Sequence, residues 1–137
     1  MFKQIMVPVD LAHVDQLEKS LRVAADISNL YGIPVCYVGV ANEQPGSVSH
    51  DPEEFQQKLD RFAHQQVLQY GHEAKTRTFV SHDLVADLDD VLLAAAKELN
   101  VDLVVMASHI PTLVNYVWPT NGGKIAAHSK AAVFVVR

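Results

Sequence analysis

Cysteine is nearly absent from this sequence, and long hydrophobic runs are missing. The 137 residues include one cysteine, Cys36, which lies in an apolar segment and is expected to be a small buried hydrophobe rather than a reactive thiol. One thiol cannot form a disulfide framework and no secretory signal is recognised, so we expect a cytoplasmic location. No apolar run approaches the ~20 residues that span a bilayer, so membrane insertion is not expected.

Basic charge is also scarce. Eleven Lys and Arg residues stand against sixteen Asp and Glu residues, which gives a net charge of −5, and no two basic residues are adjacent. Because nucleic-acid surfaces require clustered Lys and Arg, no nucleic-acid partner is expected. The remaining composition is that of an ordinary folded protein, and the length predicts a single domain over residues 1–137.

Strand and helix patterns alternate along the whole chain. Helical spacing of apolar residues predicts a first helix that ends at Gly32, and Asp51-Pro-Glu-Glu54 predicts the start of a second helix that ends at Gly71. A third helix precedes the fourth strand, and a last helix covers residues 120–128. Five strands with four crossovers predict a doubly wound parallel α/β sheet with the polar third strand at an edge. The predicted strands are residues 2–9, 33–41, 76–81, 102–107 and 132–136.

The fourth predicted strand ends in small and polar residues, Ala107, Ser108 and His109. Pro119-Thr-Asn-Gly-Gly123 then opens the last helix. A strand, a polar loop and a helix N-terminus is the arrangement by which α/β proteins bind phosphate, because the helix offers unpaired N–H groups. The sequence therefore indicates a phosphate-binding arrangement, but without glycine where the backbone would approach the anion.

Three segments together resemble the universal stress protein family. They are Val7-Pro-Val-Asp10, the segment from Ala94 to His109, and Val133-Phe-Val-Val-Arg137. The resemblance covers essentially the whole chain. It implies a three-layer α/β/α sandwich of the adenine nucleotide alpha-hydrolase-like type, a homodimer through the last strand, Ala132–Val136, and binding of ATP or AMP, with no metal beyond nucleotide-associated Mg²⁺.

The family's glycine-rich loop is altered here. Its three glycine positions correspond to Ala107, Ile110 and Pro119. Ile110 is a branched residue that disfavours positive φ, and Pro119 lacks an N–H, so both oppose close approach of a phosphate. Thr120 keeps a hydroxyl that could cap the helix or contact phosphate. Gly122-Gly123 either lets the backbone approach an anion at a different position from the family loop, or forms a tight turn into the helix. We therefore expect weak or degenerate nucleotide binding.

The resemblance assigns candidate nucleotide contacts to three strand ends and to the start of the last helix. Asp10 has an alternative role in capping the next segment, and Gly39 has an alternative explanation in packing against a helix. The candidate residues are Pro8, Val9, Asp10, Val38, Gly39, Val40, Met106, Ala107, Ser108, His109, Thr120, Asn121 and Gly122.

Catalysis and metal binding are not expected. Ser108 and His109 are neighbours, so in an extended chain their side chains point to opposite sides, and no nucleophile elbow is present. The histidines show no metal-ligand spacing. Six of them are predicted to lie in loops or at the surface: His13, His50, His64, His72, His82 and His128.

The apolar segment 113–118 is either core or a lid over the site, or an aromatic patch for a protein partner. The favoured function is a non-catalytic regulatory protein that binds an adenine nucleotide at the carboxyl edge of the sheet. The alternative is a dimeric protein-interaction module that binds no nucleotide. Slow ATP hydrolysis is a third hypothesis, but the sequence supplies no positioned base for it.

Overall fold

The computed structural model describes residues 2–46, 48–108 and 125–137. A 3₁₀ segment, Leu11–Leu17, joins β1 to α1, and residues 125–128 are helical. The remaining elements are β1 Ile5–Pro8, α1 Glu18–Tyr31, β2 Val35–Asn42, α2 Pro52–Tyr70, β3 Ala74–Ser81, α3 Leu84–Glu98, β4 Leu103–Ala107 and β5 Ala132–Val136.

The five strands form one parallel sheet in the order β3-β2-β1-β4-β5. β1 and β4 are buried along their whole length because they lie at the centre and helices cover both faces. The predicted doubly wound α/β sheet is confirmed, with the polar third strand at one edge and β5 at the other. No described helix is long and apolar enough to cross a membrane.

Local chemistry sets the helix ends where the sequence predicted them. The Asp51 carboxylate accepts a hydrogen bond from the Glu54 N–H at 2.8 Å, and Pro52 occupies the first turn of α2. Gly32 and Gly71 end α1 and α2 at φ 66° and 72°, a left-handed conformation that favours glycine.

Three strands begin later than predicted: β1 at Ile5, β2 at Val35 and β4 at Leu103. One side chain explains the late start of β1. The Asp102 carboxylate accepts hydrogen bonds from the backbone N–H groups of Lys3 and Gln4. Since these groups bond to a side chain, β1 begins at Ile5 rather than at residue 2. Asp102 itself precedes β4, which begins at Leu103.

His72 is not a surface residue, which corrects the sequence prediction. It is 4% exposed, and its Nε2 lies 2.8 Å from the Tyr37 hydroxyl. The Nδ1 atom is buried with no partner among the described residues. Burial lowers the pKa of His72 and raises that of Tyr37, because both charged forms lose hydration.

We expect the buried His72 to make stability depend on pH. Unfolded histidine has its ordinary pKa of 6.5, whereas the folded pKa is lower. As the pH falls below 6.5, the unfolded chain therefore binds a proton that the folded chain does not, and the free energy of unfolding decreases. Urea unfolding at pH 7 and pH 5 should show a smaller decrease for His72→Gln than for the unsubstituted protein. Equal decreases in both proteins would contradict this prediction.

Candidate functional site

A cavity of about 320 Å³ lies at the carboxyl ends of β1 and β2. The chain after β1, the loop after β2, and the helices α2 and α3 all contribute to its wall. Its lining residues are Pro8, Val9, Asp10, Leu11, Ala12, His13, Val38, Val40, Asn42, Gln44, Gly46, Val48, Ser49, Phe55, Leu88 and Leu92.

The floor of the cavity is apolar and its rim is polar. Val9, Val38 and Leu92 are at most 4% exposed and form part of the floor. Asn42 and Gln44 stand exposed at the rim. An apolar slot with a few convergent polar groups is the usual character of a small-molecule site, and it suits a flat heterocycle better than a free phosphate.

The loop after β2 is held over the cavity by the start of α2. The Glu54 carboxylate accepts the His50 N–H at 2.9 Å, and the Lys58 ammonium donates to the Val48 carbonyl. The His50 hydrogen bond lowers the pKa of Glu54, and the nearby Lys58 charge acts in the same direction. Gly46 closes the loop by donating its N–H to the Ser49 carbonyl at 2.9 Å.

Asp10 and His13 form a pair on the wall of the cavity. Asp10 Oδ1 accepts the Ala12 N–H at 3.0 Å, and Oδ2 lies 3.0 Å from His13 Nδ1. Asp10 therefore caps the 3₁₀ segment, which was one of its two predicted roles. Capping does not remove Asp10 from the cavity, which it also lines.

The structure brings some of the sequence-predicted site residues together. Those at the ends of β1 and β2 line the cavity, and their contact with nucleotide stays a prediction: Pro8, Val9, Asp10, Val38 and Val40. Gly39 does not line it. A Cβ atom at Gly39 would lie 2.4 Å from Phe55 Cε1, so this glycine makes room for the α2 ring.

The predicted residues at the end of β4 are not part of the cavity lining. Met106 is 1% exposed, and Ala107 is buried. Ser108 donates its N–H to the Val136 carbonyl at 2.8 Å, so this group extends the β4–β5 ladder. Several predictions lie outside the described residues: those on His109, Ile110, the segment 113–118, Pro119, Thr120, Asn121, Gly122 and Gly123.

Several residues of the cavity wall were not predicted from the sequence. His13 was predicted to lie in a loop or at the surface, although its spacing of three residues from Asp10 was a signal for a local side-chain pair. Phe55, Leu88 and Leu92 belong to the hydrophobic core and also line the cavity. The described residues contain no group of three or more His, Cys, Asp or Glu side chains that could hold a metal ion.

Fold and cavity together define a doubly wound α/β protein with a cavity at the carboxyl edge of its sheet, where proteins of this class bind ligands. The sequence model of the Universal stress protein family matches residues 1–137. The chain therefore belongs to the universal stress protein family.

Individual relatives agree with this assignment. The chain is 26% identical to Universal stress protein G of Salmonella typhimurium over 148 residues, with complete coverage of both chains. A universal stress protein from Archaeoglobus fulgidus, solved in complex with dAMP, is similar at a TM-score of 0.69 and 20% identity over 98% of each chain. A universal stress protein solved in complex with cAMP has a TM-score of 0.68 and 17% identity, covering 99% of this chain and 97% of its own. At these identities the two structures show the fold alone.

Proposed function

We propose that this protein is a non-catalytic regulatory protein that binds an adenine nucleotide weakly, with the base in the cavity beside β1 and β2. One observation carries the proposal. Pro8, Asp10 and Val38, which the family resemblance places beside adenosine, line a single cavity of about 320 Å³. Binding of dAMP and cAMP by two structurally similar family members supports the same ligand class. A cytoplasmic location stays a prediction.

The phosphates are expected to contribute little to the affinity. The first N–H after β4, that of Ser108, already donates to Val136 and cannot serve a phosphate. Further along the chain, Ile110 and Pro119 replace glycine positions of the family loop. Where the N–H groups of a phosphate loop are free, each added phosphate raises the affinity of the protein for the nucleotide, because the donors and the helix dipole favour negative charge.

AMP and ATP should therefore bind with similar dissociation constants. Calorimetric titration of nucleotide-stripped protein with each ligand, with Mg²⁺ present for ATP, measures the difference. We expect less than a tenfold preference for ATP, which is about 1.4 kcal/mol. A preference for ATP well above tenfold would contradict the proposed weak phosphate contacts, and absence of binding of both ligands at millimolar concentration would refute nucleotide binding.

A double substitution tests the cause of the weak phosphate contacts. Ile110→Gly with Pro119→Gly should restore a preference for ATP if these two side chains oppose the approach of the phosphates. Leu30→Ala, on the exposed face of α1 and outside the cavity lining, is a suitable control and should leave the ratio of the two dissociation constants unchanged. If the double variant still binds AMP and ATP alike, another part of the chain must exclude the phosphates.

We also propose a homodimer that pairs through β5. The exposed surface of this strand favours the alternative function, which is protein interaction without nucleotide. Phe134 and Val135 are 45% and 38% exposed, although they lie on opposite faces of β5. A terminal apolar edge strand with free backbone groups is a template for pairing with a second copy. We expect this dimer to form without nucleotide, because the groups that would pair belong to β5 and not to the cavity lining.

A further inference from the structure

Both carboxylate oxygens of Asp10 have partners in the chain segment that follows it. One carboxylate oxygen accepts the Ala12 N–H and the other pairs with His13 Nδ1, both at 3.0 Å. An ionised carboxylate is an acceptor only, so the proton of the His13 ring must lie on Nδ1. In the neutral ring, Nε2 is then an acceptor.

The His13 ring is in place to use that acceptor. His13 lines the cavity, and its side chain is 22% exposed. Its backbone departs from the helical conformation, at φ −136° and ψ 41°, while its N–H donates to the Asp10 carbonyl at 3.0 Å. The described residues supply no partner for Nε2.

The side-chain oxygen of Asn42 is a less well placed acceptor of the cavity. The Asn42 side-chain oxygen accepts the Gln44 N–H at 3.2 Å, and both residues stand exposed at the rim. A hydrogen bond in that position competes with water, whereas the His13 side chain is only 22% exposed and a bond to it is partly shielded from water. His13 Nε2 is therefore better placed than the Asn42 oxygen to orient a bound base or sugar.

We infer that His13 Nε2 accepts a hydrogen bond from the bound nucleoside, and that Asp10 is the positioning residue that fixes the ring and its tautomer. This inference rests on the proposed function. The ligand supplies an N–H or O–H donor, which in AMP is the 6-amino group, the 2′-hydroxyl or the 3′-hydroxyl. Asp10 thus acts on the ligand through His13.

The dissociation constant of AMP in three variants tests the inference. His13→Ala removes the acceptor and should raise the constant by about three- to tenfold. Asp10→Asn keeps an oxygen for the Ala12 cap but turns an amide N–H towards Nδ1. The ring proton then moves to Nε2, and a donor faces a donor, so a similar rise is expected although the ring remains. His64→Ala, on the exposed face of α2, is the matched control and should leave AMP binding unchanged.

Three AMP analogues identify the donor of the ligand. Purine riboside 5′-monophosphate lacks the 6-amino group, dAMP lacks the 2′-hydroxyl, and 3′-deoxy-AMP lacks the 3′-hydroxyl. Each is titrated into the unsubstituted protein and into His13→Ala. The analogue that lacks the true donor should bind both proteins equally, while the other two keep the loss of three- to tenfold.

The outcomes separate the inference from the proposed function. If the unsubstituted protein binds AMP and His13→Ala binds it equally well, the inference is wrong and the proposed function stands. An equal loss for AMP and all three analogues would show that the ring only packs against the ligand, which also overturns the inference. Failure of the unsubstituted protein to bind AMP at millimolar concentration refutes both. Unfolding midpoints of the variants, measured without ligand, show that each is folded.

Discussion

Gly39→Val should destabilise the protein by about 2 kcal/mol. The added Cβ would lie 2.4 Å from Phe55 Cε1 and 2.8 Å from Cζ, so the ring of α2 must move. Overpacking of this kind costs about 1–3 kcal/mol or more, and a branched residue adds two further methyl groups. The better strand propensity of valine offsets about 1 kcal/mol at most. Urea unfolding of the purified variant measures the loss.

A second substitution shows whether the Phe55 ring is the cause. Phe55→Leu shortens the side chain that meets the new Cβ. The variant that combines Gly39→Val with Phe55→Leu should therefore lose less stability than the sum of the two single losses, by at least about 1 kcal/mol. Gly46→Ala is the control with open space around the glycine and should change stability little. Additive losses in the double variant would show that the close contact with Phe55 is not what requires glycine.

Val135→Pro should convert the proposed dimer to a folded monomer. Along a strand, successive residues direct their backbone groups to alternate sides. The Ala132 N–H donates to the Asp102 carbonyl and the Val136 carbonyl accepts the Ser108 N–H, so residues 132, 134 and 136 face β4. Val135 therefore faces the free edge. Proline at position 135 has no backbone N–H, and in a two-fold dimer this donor is lost from both subunits. At about 1 kcal/mol for each hydrogen bond, the dissociation constant should rise by at least about 30-fold.

Phe134→Pro is the matched contrast on the same strand. Its N–H faces β4, so proline there interrupts the sheet within one subunit and should impair folding rather than dimerisation alone. Sedimentation equilibrium and circular dichroism distinguish the two variants. A monomeric unsubstituted protein at micromolar concentration, or a Val135→Pro dimer of unchanged affinity, would contradict pairing through β5.

The sequence predicted the features that depend on neighbouring residues. The caps of α2 at Asp51 and Gly71 follow from side-chain and backbone chemistry within one turn, and the buried strands follow from apolar composition alone. Features that join distant parts of the chain were not predictable in the same way. Asp102 shortens β1 through hydrogen bonds to residues 98 and 99 positions away. His72 is buried because Tyr37, 35 residues earlier, supplies its hydrogen bond.

The candidate site also combines features that the sequence predicted with features that it did not. The family resemblance placed Asp10 and Val38 beside adenosine, and both residues line the cavity, since parallel strands place their carboxyl ends together. Their contact with nucleotide stays a prediction. It did not indicate that Phe55 would fill the space beside Gly39, because that contact depends on how α2 lies on the sheet. Nor did it indicate that His13 lines the cavity, at the point where the backbone of the 3₁₀ segment departs from the helical conformation.

Amide chemical shifts recorded during a titration with AMP test the central claim most directly, because they locate the ligand without a substitution. Binding of the base in the cavity predicts the largest changes at the ends of β1 and β2 and in the loop that follows β2, including Val9, His13, Val40 and Asn42. Changes at Ser108 should be smaller, since its N–H stays bonded to Val136. Changes confined to β5 or to the outer face of β3, or no changes with millimolar AMP, would contradict an adenine nucleotide site in this cavity.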